Sequence, residues 1–155
     1  MLAKLTVLAL AAAAPLAAAV GNARVVNKCK SDVYVWAVGS EIDGPHKLAK
    51  KGGAYEEPFV KDPVTGGRAL KITATEDGLY SGAPQTIFAY NLDGPAVWYD
   101  LSDVFGDAFV GKKLVVASEE PSCPSIIWPN GVPPAGSQVK TCTSDKTVTL
   151  TLCAP

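Results

Sequence analysis

Four residues in one short stretch of the chain have the chemistry of a sugar-binding site: Trp98, Asp100, Asp103 and Asp107. A tryptophan ring can pack against the apolar face of a pyranose, and a carboxylate accepts hydrogen bonds from its hydroxyl groups. If residues 96–101 form a strand, Trp98 and Asp100 point to the same side, because side chains alternate along a strand. We therefore expect the four residues to line an acidic cleft; the alternative is a buried Trp98 beside turn-capping aspartates.

The same carboxylates raise the question of glycoside hydrolysis. That reaction uses two carboxyl groups, about 5 Å apart in retaining and roughly 6.5 to 9.5 Å apart in inverting enzymes, and one needs a raised pKa. Asp100 with Asp103 or Asp107 could meet such a distance. Nothing in the sequence indicates the burial that would raise a pKa there. We therefore expect a protein that binds without catalysis, and keep a weak endo-β-glucanase as an alternative.

The sequence offers no other catalytic or metal-binding set. It contains no Gly-x-Ser-x-Gly nucleophile elbow and no glycine-rich phosphate loop between a strand and a helix. The single histidine, His46, follows Pro45 in an expected turn and is expected to be exposed. No cysteine lies near it, and no two cysteines have the close spacing of zinc ligands. We therefore expect no cofactor and no metal.

The beginning of the chain predicts a secretory signal. Lys4 precedes an uncharged apolar stretch at 5–16, which is followed by the alanines of an Ala-x-Ala cleavage site. The stretch is shorter than the roughly 20 residues of a membrane-spanning helix. We expect cleavage after Ala19, which gives a signal peptide at 1–19 and a single secreted domain at 20–155, without membrane insertion.

The charge of the expected mature region indicates no nucleic-acid partner. Without Lys4 it carries 13 basic and 15 acidic residues. Binding to phosphate backbones requires a clustered basic face. The lysine pairs at 50–51 and 112–113 are too short to create a strong field and are interpreted as solvated strand or turn ends. We expect a monomer.

All four cysteines, Cys29, Cys123, Cys142 and Cys153, lie in the expected mature region. An even number of cysteines in a secreted chain predicts disulfides, here two. Three pairings are possible, and the residues alone do not choose among them.

Short β-type segments between glycine and proline turns predict an all-β fold. Apolar and polar residues alternate at 70–75 and 147–152, whereas 33–38 is apolar on both faces, as in a central strand covered on each side. Further β-type runs lie at 85–92, 96–101 and 112–117. Frequent turns between many short strands predict a β-sandwich or barrel.

Turn signals separate these runs, and one long stretch is expected to be irregular. The expected turns are Asp43-Gly44-Pro45, Gly52-Gly53, Asp62-Pro63, Gly66-Gly67, Asp77-Gly78, Asp93-Gly94-Pro95 and Asn130-Gly131. The stretch 121–136 carries five prolines and is interpreted as a spacer loop pinned by Cys123. Residues 102–107 could at most form one helical turn.

Several motifs resemble those of thaumatin-like proteins. Asn27-Lys28-Cys29, followed by the strand Val33-Tyr34-Val35-Trp36-Ala37, is similar to their first two strands, and Trp98-Tyr99-Asp100-Leu101-Ser102 to their aromatic, Tyr, Asp, aliphatic, Ser signature. A closer resemblance is to the fungal family named after the Blastomyces yeast-phase-specific protein. It is carried by Asp62-Pro63-Val64-Thr65-Gly66-Gly67, Pro84-Gln85-Thr86-Ile87-Phe88-Ala89-Tyr90-Asn91-Leu92 and Tyr99-Asp100-Leu101-Ser102-Asp103-Val104-Phe105-Gly106-Asp107.

The resemblance implies a thaumatin-like β-sandwich of short antiparallel strands with disulfide-pinned loops. The long first-to-last disulfide of thaumatin-like proteins supports the pairing that we expect, Cys29 with Cys153 and Cys123 with Cys142. Thaumatin-like endoglucanases use an acidic cleft with the signature aspartate, here Asp100, and a glutamate on the preceding strand. The corresponding segment here, 85–92, contains no acidic residue.

The sequence-based hypothesis is therefore a secreted, non-catalytic binding protein of the fungal cell wall or the host interface. We expect a cell-wall polysaccharide as its ligand, bound at the Trp98 and Asp100 face. An effector-like protein that binds a host surface protein is the second alternative.

Overall fold

The computed structural model of the protein describes residues 19–155, so nearly all of the expected signal peptide lies outside the described residues. The described chain forms eleven strands and one short helix. They are β1 (Asn22–Asn27), β2 (Val33–Val38), β3 (Ile42–Leu48), β4 (Gly53–Pro58), β5 (Arg68–Thr73), α1 (Gly78–Ser81), β6 (Gln85–Asp93), β7 (Ala96–Val104), β8 (Leu114–Ser118), β9 (Ile126–Trp128), β10 (Lys140–Thr143) and β11 (Val148–Leu152).

The strands form two sheets that pack face to face. The five-stranded sheet has the order β4-β1-β11-β8-β9, and the six-stranded sheet has the order β10-β7-β6-β5-β2-β3. Strand β1 pairs with β11 in parallel, and every other strand pair among residues 19–155 is antiparallel. The all-β sandwich predicted from the sequence is confirmed.

Period-two alternation produces the core between the sheets. In β11, Val148, Leu150 and Leu152 are fully buried, while the threonines between them are only partly buried. In β7, Val97, Tyr99 and Leu101 are likewise buried. Burial of such side chains contributes about 25 cal/mol per Å² of apolar surface, so the shared face of the two sheets supplies most of the driving force for folding.

Strand β2 is covered on both faces, as its apolar sequence predicts. It is an interior strand between β5 and β3, one position from the edge of its sheet. On the outer face Trp36 is buried beneath Tyr80 of α1, with the two rings edge to face at 5.4 Å between centroids. The Trp36 indole N–H donates to Thr73 Oγ1 at 3.2 Å, which satisfies its polar group.

The turn expected at Asp43-Gly44-Pro45 is wrong, because these residues lie inside β3. Strand β3 is the edge strand of its sheet, and its pairing with β2 shifts register between Val35 and Ala37. A proline and a positive-φ glycine are tolerated at such a bulge on an edge. His46 consequently lies on a strand, with Asp43 Oδ2 2.9 Å from its Nε2 and the Tyr55 ring 4.7 Å away.

Two further irregular segments differ from expectation. Residues 102–104 extend β7 instead of starting a helical turn, and the only helix of residues 19–155 is α1. The proline-rich stretch is more than a spacer, because it contains the edge strand β9. Ile126 and Trp128 of that strand are buried in the core, and the Trp128 indole donates to Gln138 Oε1 at 3.1 Å.

Two disulfides cross-link the sandwich. Cys29, just after β1, is bonded to Cys153, just after β11, with their Cα atoms 5.1 Å apart. Cys123 in the proline-rich stretch is bonded to Cys142 of β10, with a Cα separation of 5.5 Å. The second bond joins the two sheets at one side, because the segment of Cys123 leads into β9.

Candidate functional site

Trp98 and Asp100 lie side by side on the outer face of the six-stranded sheet. Both point away from the core, and Trp98 is 47% exposed. They line a shallow depression of about 220 Å³ whose other side-chain walls are Asn91 and Val139. The alternative in which Trp98 belongs to the core therefore does not describe this chain.

The register of β6 and β7 explains why a depression forms here. Asn91 is paired with Trp98, and Ala89 is paired with Asp100. On the next strand, β5, Ala69 is paired with Ala89. Since alanine projects only a methyl group, this row lies lower than the Trp98 and Asn91 row beside it. A large ring next to small residues creates the groove.

Asp100 is a half-buried carboxyl group at the wall of the depression. Burial raises its pKa above the ordinary value. Among residues 19–155 it has no side-chain or backbone hydrogen-bond partner, so its oxygens remain available to an incoming hydroxyl group. Asp100 is also the only carboxylate that lines the depression.

Asp103 and Asp107 do not join Trp98 and Asp100. Asp103 lies three residues beyond Asp100 on the same strand, so it points to the opposite, inner face. There it accepts a hydrogen bond from the Thr86 hydroxyl, with Thr86 Oγ1 2.6 Å from Asp103 Oδ1. Burial, together with the facing Asp107 carboxyl group, raises the pKa of Asp103 to about 7.

The surroundings of Asp103 favour its protonated form. The nearby Asp107 carboxyl group contributes to the raised pKa of Asp103, and Asp103 Oδ2 is buried without a hydrogen-bond partner among residues 19–155. Because Asp103 points inward, away from the depression, it does not face a ligand bound beside Asp100.

A polar network around Glu57, which the sequence analysis did not identify, lies inside the sandwich. Glu57 points inward from β4 and binds Arg68 of β5 with N–O distances of 2.9 and 3.1 Å. The hydroxyl groups of Tyr90 and Tyr55 also donate to this carboxylate, at 2.6 and 2.8 Å. Burial raises the pKa of both tyrosines above the usual value, so they remain hydrogen-bond donors.

Several motif residues have structural roles that the geometry makes plain. The Asn27 side chain donates to the carbonyl groups of Ser31 and Leu48 and accepts from the Cys29 amide, which ties the first strand to two loops. Asp62 accepts hydrogen bonds from the amides of its own turn, and these bonds hold its pKa well below the usual range.

Among residues 19–155, no three His, Cys, Asp or Glu side chains converge in the manner of a metal site. The same part of the chain also contains no helix long and apolar enough to cross a membrane.

The sequence model of the Blastomyces yeast-phase-specific protein family matches residues 10–154. The chain belongs to this family. The match includes the strands that form the depression and the inner network, so both are placed within the family's domain.

Named relatives of this Blastomyces yeast-phase-specific family member are fungal thaumatin-like proteins. An antigenic thaumatin-like protein of Arthroderma benhamiae is 32% identical over 127 residues, which are 80% of this chain and 63% of the relative. The chain thus spans less than two thirds of that relative's length. The secreted thaumatin-like protein calA of Emericella nidulans is 28% identical over 160 residues, which cover 94% of this chain and 91% of the relative.

Two solved structures share the fold. The protein elicitor MoHrip2 from Magnaporthe oryzae superposes with a TM-score of 0.70 at 24% identity, over 86% of this chain and 99% of that one. A thaumatin-like xylanase inhibitor superposes with a TM-score of 0.56 at 10% identity, over 85% and 99% of the two chains. This member of the Blastomyces yeast-phase-specific family therefore has a thaumatin-like fold.

Proposed function

We propose that this protein is secreted and acts by binding, without catalysis, and that its ligand is a polysaccharide of the fungal cell wall. The observation that carries the proposal is the exposed Trp98 ring beside the unpartnered Asp100 carboxylate in one depression. The ring offers an apolar stacking surface, and Asp100 with the Asn91 amide offers polar contacts to ring hydroxyl groups.

The size of the depression indicates how a polysaccharide is bound. Pockets that enclose small ligands usually measure about 300 to 1,000 Å³. The depression at Trp98 measures about 220 Å³ and lies on an open sheet face. We therefore infer a surface subsite for one sugar ring of a longer chain, with neighbouring rings lying across the low Ala89 and Ala69 row.

The carboxylate arrangement favours binding over hydrolysis. Hydrolysis of a glycosidic bond normally uses two carboxyl groups that flank it. Asp100 is the only carboxylate lining the depression, and Asp103 points to the other side of β7. A weak endo-β-glucanase would have to find its second acid elsewhere.

The test is co-sedimentation of the mature, oxidised protein with insoluble β-glucan, chitin and mannan, with analysis of released sugars in the same tubes. The proposal expects saturable binding to one of these polymers and no soluble products. Trp98→Ala should weaken that binding about tenfold or more, as for a central aromatic contact. Asp100→Ala should weaken it as well, whereas Asp100→Asn keeps part of the hydrogen bonding.

A matched control comes from the other sheet. Ile127 of β9 is 50% exposed, almost the same as Trp98, but lies on the five-stranded sheet and does not line the depression. Ile127→Ala should therefore bind like the parent. If Trp98→Ala and Asp100→Ala, both folded, bind every polymer as well as the parent does, this site is not the glycan site.

A protein ligand is the second candidate. The names of two proteins with the same fold favour it. One solved structure of this fold is that of an elicitor and another that of a xylanase inhibitor. A host surface protein or a host enzyme is thus the alternative partner. Saturable capture of one such protein by the immobilised parent, together with no binding to the three polymers, would favour it.

A further inference from the structure

A second cavity of the described chain lies at one end of the sandwich, away from the depression at Trp98. It measures about 650 Å³ and opens between the β1–β2 loop, the end of β5, the segment before β8 and Cys153. Its apolar wall combines the Cys29–Cys153 disulfide with Val33, Phe109 and Val110. A volume of this size is within the usual range of small-ligand sites.

The polar part of the wall is predominantly positive. Lys28, Lys30 and Lys112 line the cavity, against a single acidic residue, Asp32. The Asp32 carboxylate is already engaged, with Lys47 Nζ 3.0 Å away and the Lys50 amide donating at 2.8 Å. The three lysines therefore face the cavity without an acidic partner in its wall.

The fold gathers lysines that are separate in the sequence. The β3–β4 loop lies against the β1–β2 loop, because the Lys51 amide donates to the Cys29 carbonyl at 3.0 Å. The pairs at 50–51 and 112–113, which are short charge runs in the sequence, thus flank the same end as Lys28 and Lys30. A protein with an overall charge of −1 has one locally basic end.

The walls of the cavity are held in place before any ligand binds. The disulfide fixes the β1–β2 loop to the end of β11. The Lys112 amide donates to the Phe109 carbonyl at 2.9 Å, and the Gly111 amide donates to the Asn130 carbonyl at 2.7 Å. A pre-formed site loses little conformational entropy when it binds a ligand.

We propose that this cavity binds an amphipathic anion, a molecule with an apolar body and one anionic head group. The apolar body lies against Phe109, Val33 and the disulfide, and the head group lies among Lys28, Lys30 and Lys112. The site is independent of the glycan surface, which lies on the outer sheet face.

The experiment is a titration of the isotopically labelled mature protein, with its disulfides intact, followed by amide chemical shifts. The probe is decanoate below its micelle concentration. We expect saturable shifts at residues 28–33 and 108–112, much weaker effects from acetate, which lacks the apolar body, and none there from decyltrimethylammonium. Equal responses to acetate, or to the cationic probe, would overturn the proposal.

Two kinds of variant test the two parts of the site. Replacing Lys28, Lys30 and Lys112 with glutamine should weaken decanoate binding roughly tenfold, because each exposed charge contributes modestly. The control removes the same charge from Lys61, Lys71 and Lys140, which do not line the cavity. Equal affinities of the two triple variants would overturn the role of the lysines.

The apolar part is tested at the exposed rim residue Ala74. Ala74→Trp places a large ring at the opening and should abolish the saturable shifts, while Ala74→Ser should leave them in place. Because Ala74 is exposed, neither change requires repacking of the core. Undiminished decanoate binding by a folded Ala74→Trp protein would place the ligand outside this cavity.

Discussion

The guanidinium of Arg68 and the carboxylate of Glu57 join the two sheets of the sandwich through two hydrogen bonds, Nε–H to Oε1 at 2.9 Å and Nη2–H to Oε2 at 3.1 Å. Their side chains are only 18% and 12% exposed. The Tyr90 hydroxyl donates to the same carboxylate at 2.6 Å. Removing one member of such a set leaves the other charge desolvated and unpaired, which is strongly unfavourable.

Arg68→Met should therefore lower the free energy of unfolding by about 3 kcal/mol, as measured by urea denaturation. Glu57→Gln should lower the free energy of unfolding by less, because glutamine keeps a side-chain oxygen that accepts a hydrogen bond from the Tyr90 hydroxyl group. The double variant should cost clearly less than the sum of the two single ones, since the pair acts as a unit.

A second arginine–glutamate pair provides the control. Arg24 of β1 and Glu56 of β4 lie on the outer face of the five-stranded sheet, with Arg24 Nε 3.5 Å from Glu56 Oε2. Both side chains are 44% exposed. Arg24→Met should cost less than about 1 kcal/mol, because solvent screens an exposed pair. Equal costs for Arg24→Met and Arg68→Met would contradict the inward position of Glu57.

Asp103 predicts a specific pH dependence of stability. Its pKa in the folded protein is raised from 3.8 to about 7, mainly by burial. Proton binding therefore favours folding, and the stabilisation is complete below about pH 4 and is lost as the pH rises through 7. Asp103→Asn mimics the protonated acid and keeps the oxygen that accepts from Thr86. Its melting temperature should exceed that of the parent at pH 8 and match it at pH 4.

The companion variant separates the causes of that raised pKa. Burial is the largest single cause, and the Asp107 carboxyl group adds to it. Asp107→Asn should consequently keep most of the slope of stability between pH 4 and pH 8, whereas Asp103→Asn should remove it. A parent protein whose melting temperature is flat across this range would refute the assignment.

The outward side of the candidate site could be predicted from the sequence because it depends on one strand alone. Period-two alternation from Ala96 onward places Trp98 and Asp100 on one face, whatever the partner strands are. Asp103 was grouped with them because the expected strand ended at residue 101. The strand continues to Val104, and an odd spacing then turns Asp103 to the inner face.

The remaining features depend on contacts between distant segments. Two adjacent glutamates on an edge strand do not show which of them faces inward, and only the packing of the second sheet brings Arg68 to Glu57. The basic end similarly requires loops from three parts of the chain. The order of the strands in the two sheets and the parallel β1–β11 pair also follow from contacts between distant segments, which no local pattern encodes.

The two disulfides should contribute unequally to stability. Cys29 and Cys153 are separated by 124 residues, and Cys123 and Cys142 by 19. On the chain-entropy account, these loops correspond to about 5 and about 3 kcal/mol. Replacing Cys29 and Cys153 with serine should therefore lower the urea midpoint more than replacing Cys123 and Cys142. The reverse order would mean that the proline-rich stretch and β9 depend on their disulfide for packing as well as for loop closure.

Gly131 lies so close to the backbone of Phe109 that a larger residue should not fit there without strain. Its φ is 68°, and a Cβ there would lie 1.9 Å from the Phe109 carbonyl oxygen, which also accepts from the Lys112 amide. Gly111 has a similar φ of 78° with nothing near its would-be Cβ, so it isolates the backbone cost. Gly111→Ala should cost about 1 kcal/mol from left-handed strain, and Gly131→Ala roughly 2 to 4 kcal/mol because overpacking adds to it.

Chemical denaturation and amide spectra of both glycine variants check this prediction. If Gly131 supports the segment before β8 as the structure indicates, Gly131→Ala should move the amide signals of Phe109 and Lys112, which are distant from it in the sequence. Since Phe109, Val110 and Lys112 line the basic cavity, decanoate affinity should fall in Gly131→Ala. Equal stability losses and unmoved signals would show that the Asn130-Gly131 turn does not contact Phe109.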